Sequence, residues 1–322
     1  MQKFVWALIY ILTFLLSLVG GAALAQLHPG YGGFGGIEPV KWDASVGTSV
    51  TDLAYGPKPL NKFDLYLPAD RSRSTFKLVL YIHAGGFTGG DKADDAMVGQ
   101  YFASKGYVGA TINYSLRNNT NNATLYDMSD EIKQGVTAIV KAAAERGYPV
   151  DAMAVAGGSA GGNLAMTYAY RDAKQGPVPV KAVISFVGPA SFEPADWFAL
   201  PDRSYATDQA ATAGAGFVKV ITGKDVTLDD MRTGQYKTYL RDVSPCDLVT
   251  KDSPPTLAAY GALDKVAPYA ASTCLATALE TNAVPHDVLV FPKSGHALQR
   301  DADMNKQLGV KLDEYLTKYL PR

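Results

Sequence analysis

Gly157-Gly158-Ser159-Ala160-Gly161-Gly162 follows directly on the apolar run Met153-Ala154-Val155-Ala156, and this junction decides how the chain is read. A strand that turns sharply into a helix, leaving one hydroxyl exposed at the bend, needs residues without bulk on both sides of that hydroxyl. Ser159 is therefore a candidate nucleophile. Glycine-rich turns are common, so the weight of the motif rests on what the rest of the chain places beside it.

Outward from the junction, strand and helix patterns alternate. Ala152 to Ala156 reads as a buried strand and Ala160 to Ala173 as a helix. Upstream, Asn61 to Pro68 alternates as a half-buried strand does, while Phe76 to His83 and Tyr107 to Tyr114 are nearly continuous apolar runs, the mark of strands covered on both faces. Between them and the junction, Met128 to Arg146 places Ile132, Val136, Ile139, Val140 and Ala143 on one helical face. Downstream, Lys181 to Val187, Thr256 to Gly261 and Asp287 to Phe291 continue the strands, with helices from Pro268 to Thr281 and Asp301 to Tyr319. Such alternation implies an α/β fold, a mostly parallel central sheet flanked by helices on both faces. Gly188 to Pro245 breaks the pattern with scattered aromatics, among them Phe192, Trp197 and Phe198. A connection that long between late strands reads as a lid-like insertion, with a plain edge insertion as the competing reading.

Of the 322 residues, 47% are apolar and 19% charged, the balance of a globular chain with a substantial core. A net charge of −1 gives no electrostatic case for binding nucleic acid or an anionic membrane surface. The first 25 residues read separately: Lys3, an apolar stretch from Phe4 to Val19, then Gly20-Gly21-Ala22-Ala23-Leu24-Ala25. A basic start, an apolar middle and a small-residue exit predict a signal peptide cleaved before Gln26, and hence a secreted or periplasmic protein. An uncleaved anchor is the competing reading, because the stretch approaches bilayer-spanning length; no later segment does. Residues 26–60 read as a glycine-rich tether and N-terminal segment, and 61–322 as one domain carrying the insertion at 188–245. The two cysteines, Cys246 and Cys274, are expected to form a disulfide in an oxidising compartment, with two buried thiols as the alternative. The four histidines are scattered, and no metal site is expected.

A serine hydroxyl needs a general base, usually histidine, itself oriented by a carboxylate. Among His28, His83, His286 and His296, only His296 follows a late strand within a loop, Pro292-Lys293-Ser294-Gly295-His296, at the strand edge where catalytic groups collect. Asp264, in Tyr260-Gly261-Ala262-Leu263-Asp264, lies at the same edge after another strand; capping the helix that follows is its competing role. The chain order Ser159, Asp264, His296 favours the orienting role. His83-Ala84-Gly85-Gly86-Phe87 follows a buried strand, and the N–H groups of Gly85 and Gly86 with that of Ala160 would form a three-donor oxyanion hole. His83 reads as a residue that fixes this loop.

These segments together resemble a known family. His83-Ala84-Gly85-Gly86-Phe87, Gly157 to Gly162, Asp264 and Ser294-Gly295-His296 are similar to the α/β-hydrolase fold, in particular to carboxylesterases of the hormone-sensitive-lipase and bacterial feruloyl-esterase-like groups. Asp64-Leu65-Tyr66-Leu67-Pro68, Gly89-Gly90-Asp91-Lys92 and Asn113-Tyr114-Ser115-Leu116 belong to the same resemblance, which spans about residues 60–320. It implies a nucleophile at Ser159, a base at His296, an orienting acid at Asp264, an oxyanion hole at Gly85, Gly86 and Ala160, and no metal or organic cofactor. The expected substrate is a small-molecule or polymer-linked carboxylic ester. Amide cleavage, acyl transfer and a non-catalytic binding scaffold are the rival readings on the same fold. Two departures stand out. Ala84 occupies the second place of the usual His-Gly-Gly-Gly, where a need for positive φ would strain it. The long helical N-terminal cap of the lipase-like members is also missing, so a lid would come largely from 188–245 or be absent.

Overall fold

The structure is a computed structural model that describes residues 37–118 and 120–322. The expected leader (1–25) and the glycine-rich start of the tether up to Gly36 lie outside the described residues. Eight strands form one sheet: β1 (Gly47–Ala54), β2 (Lys62–Pro68), β3 (Phe76–Ile82), β4 (Val108–Ile112), β5 (Val150–Gly158), β6 (Val180–Phe186), β7 (Thr256–Gly261) and β8 (His286–Phe291). Their order is β1-β2-β4-β3-β5-β6-β7-β8. β2 pairs antiparallel with both of its neighbours, and every pairing from β4 to β8 is parallel, so β2 alone runs against the rest.

Helices cover both faces, as the alternation predicts: α1 (Ala96–Ser104), α2 (Leu125–Ala144), α3 (Ala160–Thr167), α6 (Thr273–Thr281) and α7 (Ala302–Tyr319), while α4 (Asp208–Thr222) and α5 (Leu228–Thr233) lie in the connection between β6 and β7. α2, α3 and α6 bury Ile132, Val136, Leu164 and Leu275 in one core with Leu78, Leu80 and Ile82 of β3. On the opposite face, Phe102 of α1 and Leu308 and Leu312 of α7 share a second core with Val79 and Tyr81 of the same strand; α1 lies on β3 itself, whereas α7 lies over β6, β7 and β8. Consecutive β3 side chains thus enter two different cores, which is why the run carries no polar alternation. α2 begins with a capping box in which Thr124 and Asp127 satisfy each other's backbone N–H groups. α3 continues as a π-helical turn, Tyr168–Asp172.

Two elements were not visible in the sequence. β1 has the burial of an exposed edge strand, and its polar stretch Thr48-Ser49-Val50-Thr51-Asp52 shows no alternation to recognise. α1 is short and pressed against the sheet. Among the described residues, no helix is long and apolar enough to cross a membrane.

The stretch 188–245 is a helical insertion between β6 and β7. It builds a core of its own from Phe192, Ala211, Val218, Met231 and Leu240, closed by Leu125 at the start of α2. Glu193 ties its halves together, accepting hydrogen bonds from the hydroxyls of Tyr205 (2.5 Å) and Tyr236 (2.7 Å). Phe192 stacks on Trp197 at 5.7 Å, and Trp197 meets Phe217 at 5.4 Å, so most of its aromatics pack against each other. Both ends of the insertion are pinned from beneath: Asn163 Nδ2, on α3, donates to the carbonyls of Pro189 (2.9 Å) and Val243 (3.2 Å).

Cys246 and Cys274 are joined in a disulfide with Cα atoms 5.9 Å apart, linking the end of the insertion to α6. Closing a loop of this length stabilises a fold by about 3–4 kcal/mol in the chain-entropy account. Reduction, or a Cys246→Ala/Cys274→Ala double variant, is therefore expected to lower stability by about that amount, read from the urea midpoint together with the slope, which rises as the unfolded chain expands. An unshifted midpoint would show that the bond constrains nothing the fold does not already hold.

Candidate active site

Ser159, Asp264, His296 and the loop after His83 all sit at the carboxyl ends of parallel strands, β5, β7, β8 and β3. Ser159 occupies the bend between β5 and α3 with φ 51° and ψ −117°, a left-handed conformation that a residue with a side chain adopts only under constraint. The constraint is visible. The Ser159 N–H donates to Phe186 O on β6 (2.7 Å), and its carbonyl accepts from the Asn163 N–H one turn on (3.1 Å). α3 passes so close to β3 that a Cβ on Gly161 would lie 2.0 Å from the carbonyl oxygen of Ile82. A Cβ on Gly157 would likewise lie 2.4 Å from Gly161 O, so Gly157 and Gly161 are demanded by backbone approach.

The three polar residues meet in one line. His296 Nε2 lies 2.8 Å from Ser159 Oγ, and His296 Nδ1 lies 2.6 Å from Asp264 Oδ2. A carboxylate accepts and does not donate, so Nδ1 carries the proton and Nε2 is left to accept from the serine hydroxyl. Asp264 is buried and its other oxygen, Oδ1, accepts from the N–H groups of Val266 (2.8 Å) and Ala267 (3.1 Å). Asp264 does not cap the helical turn that starts at Tyr269, whose N-cap is Pro268 with no side-chain capping bond; one of its oxygens closes the turn at Val266 and Ala267 and the other faces the imidazole.

Asp301 was missed as part of the site, because an aspartate before a helix reads as a cap. It makes no capping bond to α7. Its Oδ2 instead accepts from the Ser294 hydroxyl (2.7 Å) and the Lys293 N–H (3.0 Å), fixing the loop that carries His296. Ser294 is fully buried and in turn accepts from the Arg300 N–H (3.0 Å). The loops that carry Asp264 and His296 also touch directly, Leu263 N–H donating to Ser294 O (3.0 Å).

In the loop after β3, φ is positive at Gly85 (125°), Gly86 (59°) and Phe87 (64°) but not at Ala84. The alanine that departs from the familiar motif is therefore unstrained. Gly85 is the position that tolerates no side chain, since a Cβ there would fall 1.9 Å from Gly89 O. Ala160 opens α3, and its N–H, in the first helical turn, has no acceptor within its own helix. His83 lies beneath the loop, buried and stacked on Tyr114 with ring centroids 4.3 Å apart. Burial pushes its imidazole below the ordinary value, and Nδ1 lies 2.6 Å from Ala84 O. It has the surroundings of a neutral, loop-fixing residue.

The BD-FAE family matches residues 63–279, more than half of the chain. A probable isoprenylcysteine α-carbonyl methylesterase of Oryza sativa subsp. japonica is 30% identical over 113 residues, covering 35% of this chain and 26% of the relative. A non-reducing polyketide synthase of Preussia isomera is 33% identical over 135 residues, 40% of this chain and 6% of the synthase. The chain thus spans only a small part of the length of these curated relatives. Among solved structures, esterase B of Lactobacillus rhamnosis superposes with a TM-score of 0.67 at 19% identity, covering 95% of this chain and 94% of that one. At that identity the likeness is one of fold.

Proposed function

The chain belongs to the BD-FAE family of α/β-hydrolases, and from that membership and the geometry at the strand ends we propose a serine hydrolase that cleaves carboxylic esters through an acyl-enzyme. The observation that carries the proposal is the continuous contact from Ser159 Oγ to His296 (2.8 Å) to Asp264 (2.6 Å) at a strained strand-to-helix bend. Ser159 Oγ attacks the ester carbonyl as His296 Nε2 takes its proton. The negative charge that develops on the carbonyl oxygen is met by the N–H groups of Gly85, Gly86 and Ala160. His296 then protonates the leaving alcohol, and the acyl group remains on Ser159. Water enters, gives a proton to His296 and attacks the acyl carbonyl; the tetrahedral species collapses, releases the acid and returns the proton to Ser159 Oγ. Asp264 keeps Nδ1 protonated and favours the imidazolium throughout.

Export is part of the same proposal. The leader-like first 25 residues and the Cys246–Cys274 pairing support it together, because disulfides persist in oxidising compartments.

A fluorophosphonate probe is expected to label Ser159 alone, and p-nitrophenyl esters to turn over faster than matched anilides. Folded protein that stays unlabelled would refute the nucleophile, whereas anilide turnover equal to that of the ester would move the reading to amide cleavage. A series of acyl chains and aryl esters then defines the acyl pocket.

A further inference from the structure

Three motifs of the sequence take no part in the chemistry above: Asp64 to Pro68, Gly89 to Lys92 and Asn113 to Leu116. The structure joins them in one buried polar cluster behind the oxyanion loop. Lys92 is 4% exposed, and its Nζ lies 2.9 Å from Asp64 Oδ1 and 3.0 Å from Asp52 Oδ1. Burial works against its charge, yet the two carboxylates hold its pKa above the usual lysine value. The Lys92 N–H donates to Asn113 Oδ1 (2.6 Å), while Asn113 Nδ2 donates to Asp91 Oδ2 (2.8 Å).

Asp52 reaches this cluster by an irregularity of β1. The β1–β2 register shifts between Val50 and Leu53, and Asp52 has φ 58°. Bulges of this kind re-aim a side chain, and they recur next to active sites. Here the Asp52 N–H donates to Asp64 Oδ1 (2.7 Å) while its carboxylate turns to Lys92. A strained backbone, a buried cation and two carboxylates therefore converge on a residue that touches no reacting atom.

From Lys92 the chain runs three residues back to Gly89, whose N–H donates to Gly85 O (3.0 Å), as does that of Thr88 (3.1 Å). On the far side of the loop, the Arg117 N–H donates to Phe87 O (2.8 Å). The segment Gly85–Phe87 is thus held between two anchored backbones.

We infer that Lys92, clamped by Asp64, Asp52 and Asn113, is a positioning residue that aims the Gly85 and Gly86 N–H groups at the oxyanion. The inference rests on the ester-hydrolase reading. It predicts a loss felt in the tetrahedral state and not in ground-state binding, since displacing a catalytic group by about 1 Å costs about two orders of magnitude in rate.

The test compares wild type with Lys92→Met and Asp52→Asn, using p-nitrophenyl acetate for turnover and phenylboronic acid as a probe that becomes tetrahedral on Ser159. Lys92→Met is expected to lower kcat about 100-fold with KM changed by less than about threefold, and to weaken boronic acid binding by a similar factor as kcat. Asp52→Asn removes one carboxylate whose side chain is 62% exposed, leaves the Asp64 pair intact, and is expected to lower both quantities about three- to tenfold. If Lys92→Met does not fold, Asp52→Asn decides. Boronic acid affinity unchanged in a folded variant overturns the positioning role, whether or not kcat falls. A wild-type protein that neither hydrolyses the ester nor binds the boronic acid overturns the hydrolase reading itself, and the two failures are told apart by the wild type alone.

Discussion

Ser159→Ala is expected to reduce kcat for p-nitrophenyl acetate by about four to six orders of magnitude, with KM little changed. The size of the effect follows from the line of contacts: His296 Nε2 has its hydrogen bond to Ser159 Oγ at 2.8 Å, and without that oxygen the imidazole has no nucleophile to deprotonate except water. The residual rate would come from the oxyanion donors and binding, which the substitution leaves in place. Stability should barely move, because alanine retains the Cβ and therefore the strain of φ 51° and ψ −117°. Ser159→Gly separates the two properties. It should be equally inactive yet more stable by about 1 kcal/mol or more, since glycine enters this conformation without the side-chain penalty. Active-site titration with a fluorophosphonate, kcat and urea midpoints measured on all three proteins would check this. Wild-type turnover in the alanine variant refutes the nucleophile.

Asp264→Asn is expected to cost about four orders of magnitude in kcat while leaving the fold intact. The two sides of the carboxylate face different partners. Oδ1 receives the N–H groups of Val266 and Ala267, whereas Oδ2 receives His296 Nδ1–H. An asparagine must turn its carbonyl oxygen towards the two backbone donors, or bury two unmet N–H groups against its own amide. Its NH2 then faces His296 Nδ1, which has to accept. The proton moves to Nε2, and the nitrogen that should deprotonate Ser159 already carries one. Fluorophosphonate labelling should slow in parallel with kcat, because both require the same proton transfer. Turnover within about tenfold of wild type would show that the tautomer of His296 is set by something other than Asp264.

The contrast between these two residues bears on how far the site was readable before its geometry was known. Ser159 stood out because local chain chemistry encodes it: a strand that is buried on both faces, glycines where backbones meet, and a helix immediately after. His296 and Asp264 are singled out in the sequence by elimination and by strand-end position, and the structure places them in one line with Ser159. Asp301 and Asn163 were not found, although one holds the base loop and the other pins both ends of the insertion to α3. A lone aspartate before a helix and a lone asparagine within one have ordinary local explanations, and nothing in the neighbouring sequence says that a distant loop will supply the partner. β1 escaped for a related reason. An edge strand with one weakly buried face has little hydrophobic period to show, and it carries Asp52 to within 3.0 Å of Lys92.

By itself the sequence determined the alternation of strands and helices, and through it the single sheet edge at which Ser159, Asp264 and His296 gather. That much is encoded locally, because period, glycine placement and chain order act over a few residues. The tertiary structure alone decided which oxygen of Asp264 faces His296, that Ala84 bears no strain, and that Lys92 is pinned behind the oxyanion loop. Each of these depends on hydrogen bonds between segments brought together by loops, and the path of a loop leaves no periodic mark in the chain that makes it.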